Sequence, residues 1–424
     1  MDTEMNASKP SIWLELANAQ EKVHHLPRQD SSQLTTASSD TDLTHITTTT
    51  SSIRTAPPTN PRKSTSSSSI QKRESDIRLQ YNQRPEKVPD IAAEMEKWYA
   101  TTDRYGFIKC DQLASSTKAQ EKEVERSEKW ADMSEVVLLH NDQVHSFPFS
   151  HKFKSRVFKG IPYCWKRDAW YFLITHCLKE AKSDYKLCSL YRDLLSKESS
   201  HERQIDLDIP RTLGDHIMFK QRYGKGQRAL FNVLRAFSKF DEEVGYCQGM
   251  TNIVATILMY CEEEKAFVVL VHMFARDELH NLYIPGFPKL MESFYIQEAL
   301  LKRYLPKLYH HLTDLGLSSD IYSTRWYITL FTGGVVSYHT LMRIWDAYFL
   351  CGYDIFFFVA VALLKTHEQD LMEGDLDVCM QTLGSTMTVP DDDRFMKKVQ
   401  KLWERSQRHH TIETLRKEYK TQHD

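Results

Sequence analysis

Two short segments of the chain combine side chains that could act on a polar ligand. The first contains Asp208, Pro210, Arg211 and Thr212 in a polar break between helical patterns. Pro210 fixes its own φ and biases Ile209 toward an extended conformation, so we expect Arg211 on a stiffened loop. Arginine is always charged and donates parallel hydrogen bonds to planar anions. The segment predicts a positioned cation, although a salt bridge from Arg211 to Asp208 would explain the same residues.

The second segment places one long amide between two glycines. Its order is Gly245, Tyr246, Cys247, Gln248 and Gly249. Glycine lets a backbone approach a ligand closely, and an amide both donates and accepts hydrogen bonds. Gln248 could therefore hold a water molecule or a polar ligand. A hydrogen bond at the start of the following helix is the simpler interpretation.

Most other chemistries lack their residues in this chain. It has no G-x-x-x-x-G-K-[ST] loop, no H-E-x-x-H and no G-x-S-x-G, so we expect no nucleotide pocket, zinc protease or serine hydrolase. Its eight cysteines never form a C-x-x-C pair. We interpret them as buried thiols in a reducing compartment, with Cys247 as a core residue. The net charge of −2 gives no global reason to expect a nucleic-acid or membrane partner.

The elements that must carry these residues are helices. Apolar residues recur at helical spacing from about Pro89 onward, and no alternating β-branched run is long enough to seed a sheet. The sequence predicts an all-α body with on the order of a dozen helices. Asp391 to Asp424 is expected to form the last one. From Arg394 on it carries nine Lys or Arg and four Asp or Glu. We interpret this as a solvated face on a helix packed by one stripe, rather than a membrane or partner site.

The first 89 residues differ in composition from the rest. Between Ser31 and Thr55, 15 of 25 residues are Ser or Thr. Such a stretch cannot bury enough apolar area to offset its conformational entropy, so Met1 to Pro89 is predicted to be disordered. Within it, Ile12 to Val23 is either a transient helix or partner motif, or a stray apolar cluster. The segment from Ile91 onward is expected to be a docked helix, with Met95, Trp98 and Tyr99 on its apolar side.

The two polar segments together form a known signature. I-x-x-D-x-x-R-T at residues 205–212, followed by Y-C-Q-G-M at 246–250, resembles the TBC domain of Rab GTPase-activating proteins. The likeness spans roughly Phe153 to Leu371, and Thr102 to Phe107 with Arg203 to Tyr223 look most like the RN-tre-like subgroup. Further landmarks are Gly160-Ile161-Pro162, Trp170, Arg325-Trp326-Tyr327, Phe331 and Arg343-Ile344-Trp345-Asp346. Where the family usually has an Arg, this chain has Lys166, which cannot reproduce an Arg fork.

This resemblance implies a two-lobed, multi-helix fold with an activity that a partner completes. Arg211 and Gln248 would be a pair of fingers acting on GTP held by a Rab-family GTPase, with Gln248 replacing the glutamine of the GTPase. Asp208, Thr212, Tyr246 and Gly249 would support the two loops. GTP and Mg²⁺ would belong to the partner, so the chain would carry no cofactor or metal. The implied domains are a tail at 1–89, a helical lead-in at 90–152, the TBC domain at 153–371 and C-terminal helices at 372–424.

The resemblance also implies where the protein works. The expected partner is a Rab-family GTPase in its GTP-bound state, within vesicle or endosomal trafficking. The longest apolar run, Ile355 to Leu364, is shorter than the about 20 residues that a bilayer requires, and the N-terminus lacks the order of a signal peptide. We therefore expect a cytoplasmic protein, peripheral to endomembranes and associated with them only through the Rab. A Rab-binding adaptor without activity is the alternative, followed by an unrelated α-helical scaffold or cryptic hydrolase.

Overall fold

The computed structural model describes residues 76–82, 101–108, 117–139 and 142–423. Its first ten labelled helices are α1 (Thr117–Ala131), α2 (His151–Phe158), α3 (Lys166–Ile174), α4 (Asp184–Leu194), α5 (Glu202–Asp208), α6 (Ile217–Lys220), α7 (Lys225–Phe240), α8 (Met250–Leu258), α9 (Glu263–Arg276) and α10 (His280–Tyr283). The remaining helices are α11 (Pro288–Tyr304), α12 (Pro306–Asp314), α13 (Ser319–Ile328), α14 (Tyr338–Cys351), α15 (Ile355–Thr366), α16 (Glu368–Glu373), α17 (Leu376–Gly384), α18 (Asp392–His409) and α19 (Thr411–His423). Short 3-10 helices occupy Tyr163–Trp165, Ala181–Ser183 and Ile209–Arg211.

Most of the helices form two groups, each packed around one helix. In the first group, α4, α5, α6, α8 and α9 pack around α7; in the second, α12, α13, α15 and α19 pack around α11. Helix α14 contacts α2, α3, α15 and α18, and α3 in turn contacts α9 of the first group. The prediction of a two-lobed, all-α body is confirmed.

Helix α15 explains the longest apolar run in the sequence. Every residue from Ile355 to Leu364 is buried, so this helix is apolar on all sides because the protein surrounds it. No helix in the described ranges combines the length and the apolar character needed to cross a membrane.

One β-hairpin interrupts the helical body, where the sequence predicted no strands. Strands β1 (Glu135–Leu139) and β2 (Asp142–Ser146) pair antiparallel, with Val137 opposite Val144. Val136 and Leu138 on the other face are exposed. Five-residue strands with one half-buried face give only a weak alternating pattern, which is why the run was missed.

The predicted disorder up to Pro89 is wrong for residues 76–82, which are helical. Tyr81 in this segment is only 1% exposed, and its ring stacks on Phe231 with a centroid separation of 4.2 Å. Arg78 forms an ion pair with Glu202 at 3.0 Å. The Ile12–Val23 piece and the segment from Ile91 to Tyr99 lie outside the described residues.

The single helix predicted over Asp391 to Asp424 is instead two helices. Helix α18 ends at His409 because His410 adopts a left-handed conformation with φ 49°. Helix α19 then packs on α11, where Arg416 donates to Glu292 at 2.9 Å.

Candidate functional site

Arg211 ends the 3-10 helix Ile209–Arg211, which follows α5 directly. Ile209 is helical, with φ −55° and ψ −48°, so the predicted extended conformation before Pro210 is wrong. Pro210 sits in the first turn of the 3-10 helix, where a missing N–H costs nothing. The Arg211 side chain is 58% exposed and still donates from Nη2 to Asp208. The salt bridge and an accessible guanidinium therefore coexist.

The carboxylate of Asp208 joins the two polar segments. It is 1% exposed, and while Oδ1 accepts from Arg211, Oδ2 accepts from the Tyr246 hydroxyl at 2.5 Å. Gln204 adds a weaker hydrogen bond to Oδ1 at 3.3 Å. The buried Thr212 hydroxyl donates to the carbonyl of Asp208 at 2.9 Å. One buried anion thus holds the guanidinium loop and the segment that carries Gln248, although the two are far apart in sequence.

Gln248 is exposed and lies immediately before α8. Gly249, which has no side chain, is the N-cap of that helix, and both interpretations of Gln248 stay predictions. Gly249 has φ 107°, and an added Cβ would lie 3.1 Å from Cγ2 of Thr329. A side chain there would be strained and crowded. The glycine therefore turns the chain tightly and leaves Gln248 facing solvent.

The charges around this segment keep its other side chains unreactive. Burial, followed by the neighbouring Asp208, raises the pKa of Tyr246 well above its usual value, so the hydroxyl remains a donor at neutral pH. Burial also raises the pKa of the Cys247 thiol to about 11. A protonated thiol is a poor nucleophile, which agrees with Cys247 as a packing residue. In the described ranges no cluster of His, Cys, Asp and Glu could hold a metal ion.

Segments upstream of the signature support the Arg211 loop from two directions. The Tyr81 hydroxyl donates to Asp206 on α5 at 2.8 Å, and Arg222 donates to the same carboxylate at 2.6 Å. Beyond Arg211, the His216 ring donates from Nε2 to the carbonyl of Tyr105 at 2.8 Å. Both contacts reach residues outside the predicted domain at 153–371, and sequence reasoning assigned neither of them.

Lys166 is buried and paired with a landmark of the signature. Its Nζ lies 2.8 Å from both carboxylate oxygens of Asp346. The same carboxylate accepts from the Trp170 indole and from the backbone N–H of Ile161, each at 2.8 Å. One ammonium bridging two oxygens thus occupies the place of an Arg fork. Burial raises the pKa of Asp346 and lowers that of Lys166, which is the cost of removing both charges from water.

Comparison with known proteins connects this geometry to a family. The sequence model of the Rab-GTPase-TBC domain matches residues 163–372. A TBC domain-containing protein of Schizosaccharomyces pombe is 35% identical over 292 residues, covering 67% of this chain and 68% of that protein. The chain belongs to the TBC-domain family. The human ecotropic viral integration site 5 protein homolog is 31% identical over 268 residues, but this chain spans only 32% of its length.

Solved structures share the same fold. The TBC domain of the Chlamydomonas flagellar RabGAP has a TM-score of 0.55 and 25% identity, covering 70% of this chain and 97% of that domain. The Ypt/Rab-GAP domain of Gyp1p has a TM-score of 0.55 at 19% identity, which indicates the fold alone. The RN-tre-like subgroup stays a prediction. Within this TBC domain the signature residues Arg211 and Tyr246 both donate hydrogen bonds to the carboxylate of Asp208. Gln248 follows Tyr246 by two positions in the sequence.

Proposed function

We propose that this chain accelerates GTP hydrolysis by a Rab-family GTPase, acting in trans with Arg211 and Gln248. The observation that carries the proposal is the Asp208 carboxylate, which holds an exposed guanidinium and the segment of an exposed amide at one place. Relatives named as Rab GTPase-activating proteins support the same activity. GTP and Mg²⁺ would belong to the GTP-bound partner.

Arg211 would act on the charge that develops during hydrolysis. Negative charge spreads over the transferring phosphoryl oxygens in the transition state, and an arginine supplied by an activator is worth roughly 10³- to 10⁵-fold in rate. That factor corresponds to about 4 to 7 kcal/mol of the barrier. Asp208 uses only Nη2 of the guanidinium. The remaining N–H groups stay able to donate to phosphate oxygens.

Gln248 would act on the attacking water. Its amide can accept a hydrogen bond from water while donating another, which orients the water in line with the leaving group. Gly249 and the buried Tyr246 fix the backbone on either side of the glutamine. A fixed backbone holds the amide in its reactive orientation before the reaction begins. This placement lowers the entropic part of the barrier and so contributes directly to the rate.

The activity is tested by single-turnover phosphate release from a panel of purified, GTP-loaded Rab GTPases. For the Rab that responds, Arg211→Lys should lower the stimulated rate by about 100-fold or more, because an ammonium lacks the planar fork. Arg303→Lys is the matched control, since Arg303 is an exposed arginine on α11, and it should have no effect. A rate for Arg211→Lys within about threefold of wild type would contradict the role of the finger.

The glutamine is tested with a Rab whose own catalytic glutamine is replaced by leucine. The wild-type chain should still accelerate this Rab, and Gln248→Ala should abolish that residual stimulation. Gln407→Ala, an exposed glutamine on α18, serves as the control. If the altered Rab shows no stimulation, the glutamine of the GTPase orients the water. GTP-dependent binding without acceleration of any Rab would make the chain an adaptor, and no binding at all would exclude a Rab partner.

A further inference from the structure

The exposed side of α18 carries positive charge that the proposed function does not use. Five exposed cations and the half-buried Lys398 project from it: Arg394, Lys397, Lys398, Lys401, Arg405 and Arg408. At 3.6 residues per turn, their directions fall within an arc of about 100°. The opposite side of the helix buries Phe395, Met396 and Val399. We refer to these six cations as the basic stripe.

The positive charge of the basic stripe is not neutralised by the rest of the described chain. None of the six forms an ion pair with a residue in the described ranges, whereas the acids of α18 are engaged elsewhere. Asp392 accepts from Thr340 at 2.7 Å, Asp393 pairs with Arg343 at 2.8 Å, and Glu404 accepts from Gln400 at 2.8 Å. Gln400 is neutral, so Glu404 keeps its charge beside the stripe, but the six cations outnumber it and the surface stays net positive.

The shape of the basic stripe selects among anions. Fourteen residue steps separate its first and last members, a straight distance of about 21 Å at 1.5 Å per residue. A single phosphate contacts only one or two of the six cations. A planar array of mobile anions contacts all of them, because Lys and Arg side chains are long enough to reach a common plane. No apolar side chain lies within the stripe, so contact would occur at the surface of the array without insertion.

We propose that the basic stripe is a docking surface for a membrane leaflet that contains anionic phospholipids. This contact is direct, in addition to any association through a Rab, and it involves neither Arg211 nor Gln248. Each Lys or Arg close to such a leaflet strengthens binding by about fivefold. Because the attraction is electrostatic and at the surface, it should weaken steeply with ionic strength.

The test is co-sedimentation of the full chain with vesicles of phosphatidylcholine alone or mixed with phosphatidylserine. The triple variant Lys397→Gln, Lys401→Gln and Arg405→Gln should bind mixed vesicles about 100-fold more weakly than wild type. Glutamine is a good helix former, so α18 should persist. The matched control replaces Lys302, Arg303 and Lys307 by glutamine, three exposed cations at the junction of α11 and α12. It removes the same net charge and should bind like wild type.

Several results would overturn the proposal. These are equal binding of both triple variants, equal binding of wild type to the two kinds of vesicle, and binding that does not weaken in high salt. Stimulated hydrolysis with a soluble Rab and no vesicles provides an independent measurement. The stripe variant should retain it. Its loss there would show that the basic stripe faces the partner protein, which would contradict membrane docking while leaving the finger mechanism in place.

Discussion

Replacement of Lys166 by Met should destabilise the fold strongly. The pair with Asp346 is 4% and 0% exposed, so the variant leaves a carboxylate in the interior with only the neutral donors of Trp170 and Ile161. Removal of one partner from a buried ion pair costs about 3–5 kcal/mol. Lys365→Met is the matched control, because Lys365 pairs with Glu368 at the surface and such pairs contribute about 0–1 kcal/mol.

Chemical denaturation monitored by tryptophan fluorescence measures the difference. In the double variant Lys166→Met with Asp346→Asn, the loss should be smaller than the sum of the two single losses, because no buried charge is left unpaired. Burial already raises the pKa of Asp346, and Lys166 opposes that rise. In Lys166→Met the deficit should therefore shrink as the pH falls and the carboxylate becomes protonated. A loss below about 1 kcal/mol at neutral pH, or a deficit independent of pH, would refute this account.

Two further predictions concern the supports of the Arg211 loop. Tyr81→Ala should destabilise the protein by about 3–5 kcal/mol because the ring is fully buried. Leu79→Ala, at a residue 49% exposed in the same segment, should change the melting temperature little. Equal melting temperatures of the two variants would show that Tyr81 does not pack in the core. Tyr246→Phe should cost about 1–3 kcal/mol and slow the stimulated hydrolysis, because Asp208 loses a buried donor. Tyr304→Phe, at a half-buried ring on α11, should change neither quantity. Unaltered stability of Tyr246→Phe would contradict the role of its hydroxyl.

Residue type and spacing predict candidate site residues in this chain more readily than the contacts among them. Residue type and short spacing single out Arg211 and Gln248 as candidates whose roles stay predictions, because the chemistry of an arginine and of an amide between glycines is local. The shared carboxylate of Asp208 could not be predicted from those patterns, since its bond to Tyr246 spans 38 positions. Such a contact depends on how α5 and α8 pack against α7.

Errors at the ends of the chain have a similar origin. Ile77 and Tyr81 are spaced as on one side of a helix, but a Ser/Thr-rich neighbourhood obscured this short signal. The break at His410 carries no glycine or proline, so nothing in the local pattern marks it. The pairing of Lys166 with Asp346 joins two helices that are distant in sequence. The resemblance indicated only that a lysine cannot make the two parallel hydrogen bonds of an arginine, and it did not indicate which residue the lysine would pair with.

The contacts of Tyr81 and Tyr105 mean that the packed unit extends beyond the residues that the TBC-domain sequence model matches. A fragment trimmed to the matched residues 163–372 would retain every letter of the signature. It would lack both segments that brace the Arg211 loop, and also Asp393, the partner of Arg343. If the proposed activity holds, we expect such a fragment to be a weak activator. Its weakness would then be wrongly assigned to Arg211 and Gln248. The boundaries of recombinant fragments should instead follow the contacts, beginning before residue 76 and extending through α18.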